Sequence, residues 1–239
     1  MTETTEKRSA ISISGYLIKE RHLPQRILVY VIGLLIAAFG VAFAVNSDLG
    51  LSPVQSFPFV LSRITGLSMG TWVKVVLSFF ILMQAAILRK EFRPIDVTQI
   101  VFAVIFGYFV NFTQFLLGDF RIPTYGGQLT FLFLGMVCIA TGIIFYMDAK
   151  LVNLPSEGIV AAIAYKLDKP FHIVKIFADS TVVLSALALS LIFLGGLDGV
   201  REGTIASSIL IGKMIPAIRR IVTPIIAGLG ALPDRSVDS

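Results

Sequence analysis

Residues 33–53, GLLIAAFGVAFAVNSDLGLSP, return without a gap at 135–155 as GMVCIATGIIFYMDAKLVNLP. Six aligned positions are identical: Gly33/Gly135, Ala38/Ala140, Gly40/Gly142, Phe43/Phe145, Leu49/Leu151 and Pro53/Pro155. A long apolar run, a polar tip and a proline have been written twice, which is how internal duplication in bilayer proteins announces itself. The correspondence continues downstream, Val73-Lys74 aligning with Val174-Lys175, and Ile100 and Gly107 with Ile205 and Gly212.

The rest of the chain identifies the solvent. Of its 239 residues 56% are hydrophobic and 15% charged, and the mean hydropathy is +0.86. Six stretches match the roughly 20 apolar residues that a spanning helix needs: 27–46, 70–88, 97–117, 128–147, 171–195 and 204–220. Lipid is therefore the first expected partner, and no room is left for a soluble domain. Ala42-Phe43-Ala44 looks like a cleavage site, but the polar 1–25 arm is long for a signal peptide and cleavage would remove one copy's counterpart of 128–147. The segment 221–233, broken by Pro224, Pro233 and two glycines, is read as an interfacial tail rather than a seventh regular helix.

Orientation follows from the basic residues, which stay in short cytoplasmic loops. With the N-terminus inside, the inner segments hold Lys7, Arg8, Lys19, Arg21, Arg26, Arg89, Lys90, Arg93, Lys150, Lys166, Lys169, Arg219, Arg220 and Arg235, whereas the outer loops hold only Arg63, Arg121 and Arg201. Six crossings with both termini cytoplasmic follow, three per copy. An odd number forces the copies to run in opposite directions. The expected fold is all-α: a polytopic membrane helix bundle of two inverted three-helix repeats at 26–125 and 126–220, flanked by a 1–25 arm and a 221–239 tail.

Each repeat also has a short apolar segment behind its proline, after Ser52-Pro53 and after Pro155. These are too short to span and too apolar for a solvated loop, so each reads as a re-entrant or interfacial half-helix. Proline suits the first helical turn, and a helix N-terminus carries partial positive charge that attracts anions. An amphipathic helix that merely seals the bundle fits the same pattern. Charges inside spans are costly and are functional candidates. Lys74 and Lys175, equivalent across the repeat, are expected to turn toward the half-helix of their own copy or to snorkel. Together with Ser52, Pro53, Gln55, Pro155, Ser156 and Glu157 they form the expected substrate site. Asp179, four residues after Lys175 and so on the same helix face, His172 and Glu157 are the candidates for proton or ion coupling.

Small residues Gly33, Ala37 and Gly40 share one helix face, as do Gly135 and Gly142, and such faces permit close helix approach. Asn111, Thr113 and Gln114 can hydrogen-bond between helices or line a path. Trp72, Tyr30, Tyr108, Tyr125 and Tyr146 lie near span ends, as in an interfacial belt. No glycine-loop nucleotide motif, HExxH, Cys/His metal spacing or GxSxG is present, and Cys138 is the single cysteine. Neither an enzyme nor a cofactor or metal is expected. The +5 charge suits anionic lipid rather than nucleic acid.

Leu49-Gly50-Leu51-Ser52-Pro53 with Thr65-Gly66-Leu67-Ser68-Met69-Gly70, Leu154-Pro155-Ser156-Glu157-Gly158 and Arg201-Glu202-Gly203-Thr204 resemble the YczE/YyaS/YitT group of bacterial integral membrane proteins. The resemblance covers about 26–220 and implies a multi-pass protein of the bacterial inner membrane without a settled substrate. Its members often carry an aromatic-acidic pair after the first proline and a basic-acidic pair after the second. Here these are Val54-Gln55 and Ser156-Glu157, which shifts the weight of any anion pocket onto Lys175. The expected function is a small secondary transporter or exporter of an anionic or zwitterionic solute, working by alternating access. A non-transporting membrane scaffold or regulator is the alternative, and a homo-oligomer is left open.

Overall fold

The computed structural model describes residues 23–92 and 94–228, all of whose regular structure is helical. The 1–22 and 229–239 parts of the expected arm and tail lie outside these residues. In chain order the helices are α1 (Leu23–Ser47), α2 (Pro53–Thr65), α3 (Met69–Leu88), α4 (Gln99–Leu117), α5 (Tyr125–Asp148), α6 (Pro155–Leu167), α7 (Phe171–Leu189) and α8 (Glu202–Gly228). Five helices are long and apolar enough to cross a membrane; these are α1, α3 with its following turn, α4 with its preceding turn, α5, and α7 with the π-helical turn Ser190–Leu194. The sixth, α8, has 27 residues but is interrupted by Lys213, Arg219 and Arg220.

The half-helices are built as their sequences require. Pro53 and Pro155 occupy the first turns of α2 and α6, where no intrahelical amide partner is lost. Gly66 closes α2 in the left-handed region at φ 74°, and its N–H donates to Ser62 O. Ser68 then caps α3 by accepting from the Thr71 amide. At the other end of the chain the structure departs from expectation: α8 does not stop at 220 but runs through Pro216 and Pro224 to Gly228. Val222 and Ile226 are buried, so packing holds the helix together past prolines that only remove individual backbone bonds.

The two repeated helices form the axis of the molecule. α1 and α5 lie antiparallel and so close that a Cβ on Gly33 would stand 2.9 Å from Gly142 O, and one on Gly40 2.7 Å from Gly135 O. The pattern is reciprocal, since Gly33 corresponds to Gly135 and Gly40 to Gly142 along the sequence. Buried Val29, Tyr30, Leu34, Ala38, Val41, Ile144 and Phe145 share this core. As much as 56% of the α1 span is buried inside the chain but only 11% of α7, which makes α1 the core and α7 the rim.

Equivalent residues also anchor the third helix of each half. Asn46 Nδ2 donates to Gly118 O and Phe120 O at 3.0 and 3.1 Å, beyond the end of α4. Its counterpart Asp148 accepts from Arg219 Nη2 at 2.6 Å and Thr223 Oγ1 at 3.2 Å on α8. Polar residues of α4 join helices: Thr113 Oγ1 donates to Ala38 O at 3.0 Å, Asn111 Oδ1 accepts from Gly70 N at 2.8 Å, and Gln114 Nε2 reaches Met69 Sδ. Of the tyrosines expected at an interface, Tyr108 and Tyr125 are exposed, whereas Tyr30 and Tyr146 are buried. The last two pack on each other with ring centroids 5.8 Å apart, because the α1–α5 seam turns them inward.

The half-helices exchange partners. α2, from the first half, packs on α7 of the second, and α6, from the second, packs on α3 of the first. Matching ion pairs close both exchanges: Arg63 Nε lies 3.2 Å from Asp198 Oδ2, and Lys166 Nζ lies 3.0 Å from Glu91 Oε2. All four side chains are between a third and a half exposed, so solvent screening keeps each pair weak. Asp198→Ala and Glu91→Ala should each cost about 0.2–1 kcal/mol and add in the double variant. Thermal unfolding in detergent checks both points.

The halves differ in one respect. In the first, α3 and α4 pack tightly, with Gly70 against Gly107 O and Asn111. In the second, Gly212, aligned with Gly107, has no heavy atom within 4 Å of the place a side chain would occupy. The α7–α8 seam is open where the α3–α4 seam is closed.

Candidate functional site

The first turn of α6 carries Pro155, Ser156 and Glu157 into the bundle at the end where α1 begins and α5 finishes. It is held there from the side by Gln84 of α3. Gln84 Nε2 donates to Pro155 O at 3.2 Å, its amide pairs with buried Gln99 of α4, and Gly158 allows the approach, since a Cβ there would stand 2.5 Å from Gln84 Oε1. The backbone at this turn is thus fixed by a side chain from the opposite half.

Ser156 is buried, and its Oγ donates to Glu157 Oε2 at 2.9 Å. Glu157 keeps part of its surface accessible and lies within electrostatic reach of Lys175 and Asp179 on α7. It also acts on the phenols of Tyr30 and Tyr146, supplied by α1 and α5. Lys175 Nζ is 2.8 Å from Asp179 Oδ1, and these side chains are 30% and 24% exposed. The Tyr30 hydroxyl is buried and makes no hydrogen bond among the described residues. Three long helices, α1, α5 and α7, and a half-helix turn therefore supply two carboxylates, one ammonium and a phenol with unused hydrogen-bonding capacity.

The remaining expected residues lie elsewhere. Lys74 does not turn toward α2; its stem lies against Gly107 and its Nζ stands 4.0 Å from the centre of the Tyr108 ring on α4. A glycine leaves room for the stem, and the exposed ring offers a cation–π partner, so this lysine is accommodated without a ligand. His172 is exposed in the first turn of α7. Ser52 and Pro53 open α2, where Ser52 O accepts from the amides of Gln55 and Ser56 at 2.9 and 3.0 Å. Gln55, the counterpart of Glu157, has a buried Oε1 with no partner among the described residues. Sequence reasoning placed Glu157, Lys175 and Asp179 together in kind but missed Tyr30, Tyr146 and Gln84. The signal was available in part, because a glycine at 158 inside a helix marks a close approach.

A different cation does structural work close by. Arg26 is 1% exposed, its Nε donating to Ala149 O at 2.8 Å and its Nη2 to Lys150 O at 2.7 Å. It satisfies two carbonyls just past the end of α5 with a positive charge where the helix dipole favours one.

Helices of this length and apolarity, packed on glycine faces, define an integral, multi-pass helical membrane protein. Residues 24–220 match the model of the family of unknown function DUF6198, and the chain belongs to that family. It is 28% identical over 187 residues to the uncharacterized membrane protein YczE of Bacillus subtilis (strain 168), covering 78% of this chain and 81% of YczE. It is 26% identical over 194 residues to the uncharacterized protein YyaS of the same organism, covering 81% and 92%. The kinship that the LGLSP and TGLSMG motifs indicated therefore holds. No solved structure matches.

Proposed function

We propose that the chain is a small secondary transporter or exporter of the bacterial inner membrane, built as two inverted three-helix repeats that rock to give alternating access. In this reading α8 is the sixth crossing, its basic residues lying toward the cytoplasmic face with both termini. The observation that carries it is the reciprocal exchange of α2 and α6 around the antiparallel α1–α5 axis, which supports a shared site of the kind that opposed repeats build. Unequal seams, closed at α3–α4 and open at α7–α8, are what one end-state of such a machine leaves behind.

The charge inventory narrows the solute. Lys175 is paired with Asp179 and Lys74 lies over the Tyr108 ring rather than at a half-helix turn, so neither lysine brings an unpaired charge to the α2 or α6 turn. Two carboxylates face one ammonium at α6 and α7, which favours the zwitterionic over the purely anionic solute. The protein works without cofactor and without covalent chemistry.

Reconstitution into liposomes with a panel of small anions, zwitterions and amines tests this. Uptake or counterflow is expected for an amine-bearing zwitterion and not for inorganic anions. Folded protein that moves none of them leaves the alternative, a membrane scaffold or regulator in which the duplication is only architectural.

A further inference from the structure

We infer that Glu157 and Tyr30 form a receptor for a primary ammonium group, the positively charged end of the solute, at the first turn of α6. The inference rests on the transport reading above and specifies its site. Glu157 already occupies the position where a helix N-terminus would draw an anion, so that place is filled by the protein's own carboxylate. The carboxylate receives Ser156 Oγ, while the nearest ammonium, Lys175, donates to Asp179. With these three groups ionised, the cluster carries two negative charges against one positive. A charge removed from bulk water needs a partner of opposite sign, and Glu157 has only a share of one.

Two further observations set the chemistry of the missing group. The Tyr30 hydroxyl is fully buried without a hydrogen-bond partner among the described residues, on a ring packed against Tyr146 near the end of α5, from which the chain passes into the α6 turn. An unpaired buried phenol is costly to leave; a ligand with N–H donors satisfies its oxygen and the carboxylate together. The Tyr30 ring is also held against Phe102 of α4, ring centroids 4.3 Å apart, so the direction of its hydroxyl is fixed. A quaternary ammonium has charge but no donor, and an alkali cation finds two oxygens where it needs a cage. A primary ammonium meets both requirements.

The full chain in detergent is melted with methylammonium chloride, tetramethylammonium chloride or sodium chloride at matched ionic strength. Methylammonium is expected to raise the melting temperature of the wild type above that in the other salts. Glu157→Gln should weaken the response at least tenfold in half-saturating concentration, and Tyr30→Phe should weaken it less. Gln55 occupies the equivalent turn of the first half, so an amide at 157 is compatible with the fold. Lys175→Met, which removes the competing cation, should strengthen the response, and it decides the matter if Glu157→Gln does not fold. Equal responses to the three salts, or a Glu157→Gln variant responding like the wild type, overturns the assignment. Binding without flux in liposomes would remove the transport reading and leave the receptor, whereas flux of an amine-free solute with no methylammonium response would do the reverse.

Discussion

Gly40→Leu is expected to leave little folded protein. A Cβ at this position would stand 2.7 Å from Gly135 O, 2.7 Å from Ile139 Cγ1 and 2.8 Å from Ile139 N. Two of those three atoms are backbone, or bonded rigidly to it, so α1 and α5 would have to separate along the seam that contains most of the core. Overpacking a yielding core costs about 1–3 kcal/mol; a branched side chain wedged between helix backbones should exceed about 3 kcal/mol, a large share of the roughly 5–15 kcal/mol of a typical fold. Gly142→Leu, the reciprocal site with Gly33 O at 2.5 Å, should behave alike. Gly212→Ala is the control: its open surroundings predict a melting temperature unchanged or slightly raised, since alanine in a helix gains up to about 1 kcal/mol over glycine. Detergent melting curves and the folded fraction after size exclusion measure all three. A Gly40→Leu protein as stable as Gly212→Ala would mean that α1 and α5 do not touch as described.

Arg26→Leu is expected to cost about 3 kcal/mol, because it deletes hydrogen bonds from a charged donor to one buried and one part-buried carbonyl, worth roughly 1.5–3 kcal/mol each, and leaves the buried one unsatisfied. The loss should appear as a melting temperature lower by about 10 °C. Arg26→Lys should recover part of it. The ammonium still favours the negative end of α5 but cannot span Ala149 O and Lys150 O as the planar guanidinium does. A melting temperature for Arg26→Leu within a degree of the wild type would show that water or lipid headgroups already serve these carbonyls.

The sequence disclosed the parts of this protein better than their partners. The half-helices were legible because proline in a first turn, an apolar stretch too short to span and, for α2, a closing glycine are local signals that act on their own residues. The glycine faces were legible for the same reason, since spacing along one helix decides which side is smooth. Partner choice is not local. Nothing in 53–65 specifies that it rests on α7 rather than only on α3, and the ion pairs that seal the exchange, Arg63–Asp198 and Lys166–Glu91, join residues far apart in the chain. Tyr30 and Tyr146 resembled belt residues by depth, but depth along a helix does not say which way a side chain faces. Lys74 and Lys175 align in sequence, yet one met a tyrosine and the other an aspartate four residues on. Hydropathy likewise misjudged the end of α8, where burial of Val222 and Ile226 outweighs two prolines.

The exchange of α2 and α6 also bears on how the chain is made. α2 emerges from synthesis long before α7, the surface it rests on; at ordinary rates the wait for that hundred-residue stretch is about 5–20 s. During it the first three membrane helices must sit in the bilayer with a half-helix that has no native seat. Two nascent chains inserted side by side can offer each other that seat, giving a swapped pair with the same contacts. The same geometry allows the gene to be cut between the repeats, near residue 122: neither half should fold alone, but the two made together should find each other and rebuild the bundle.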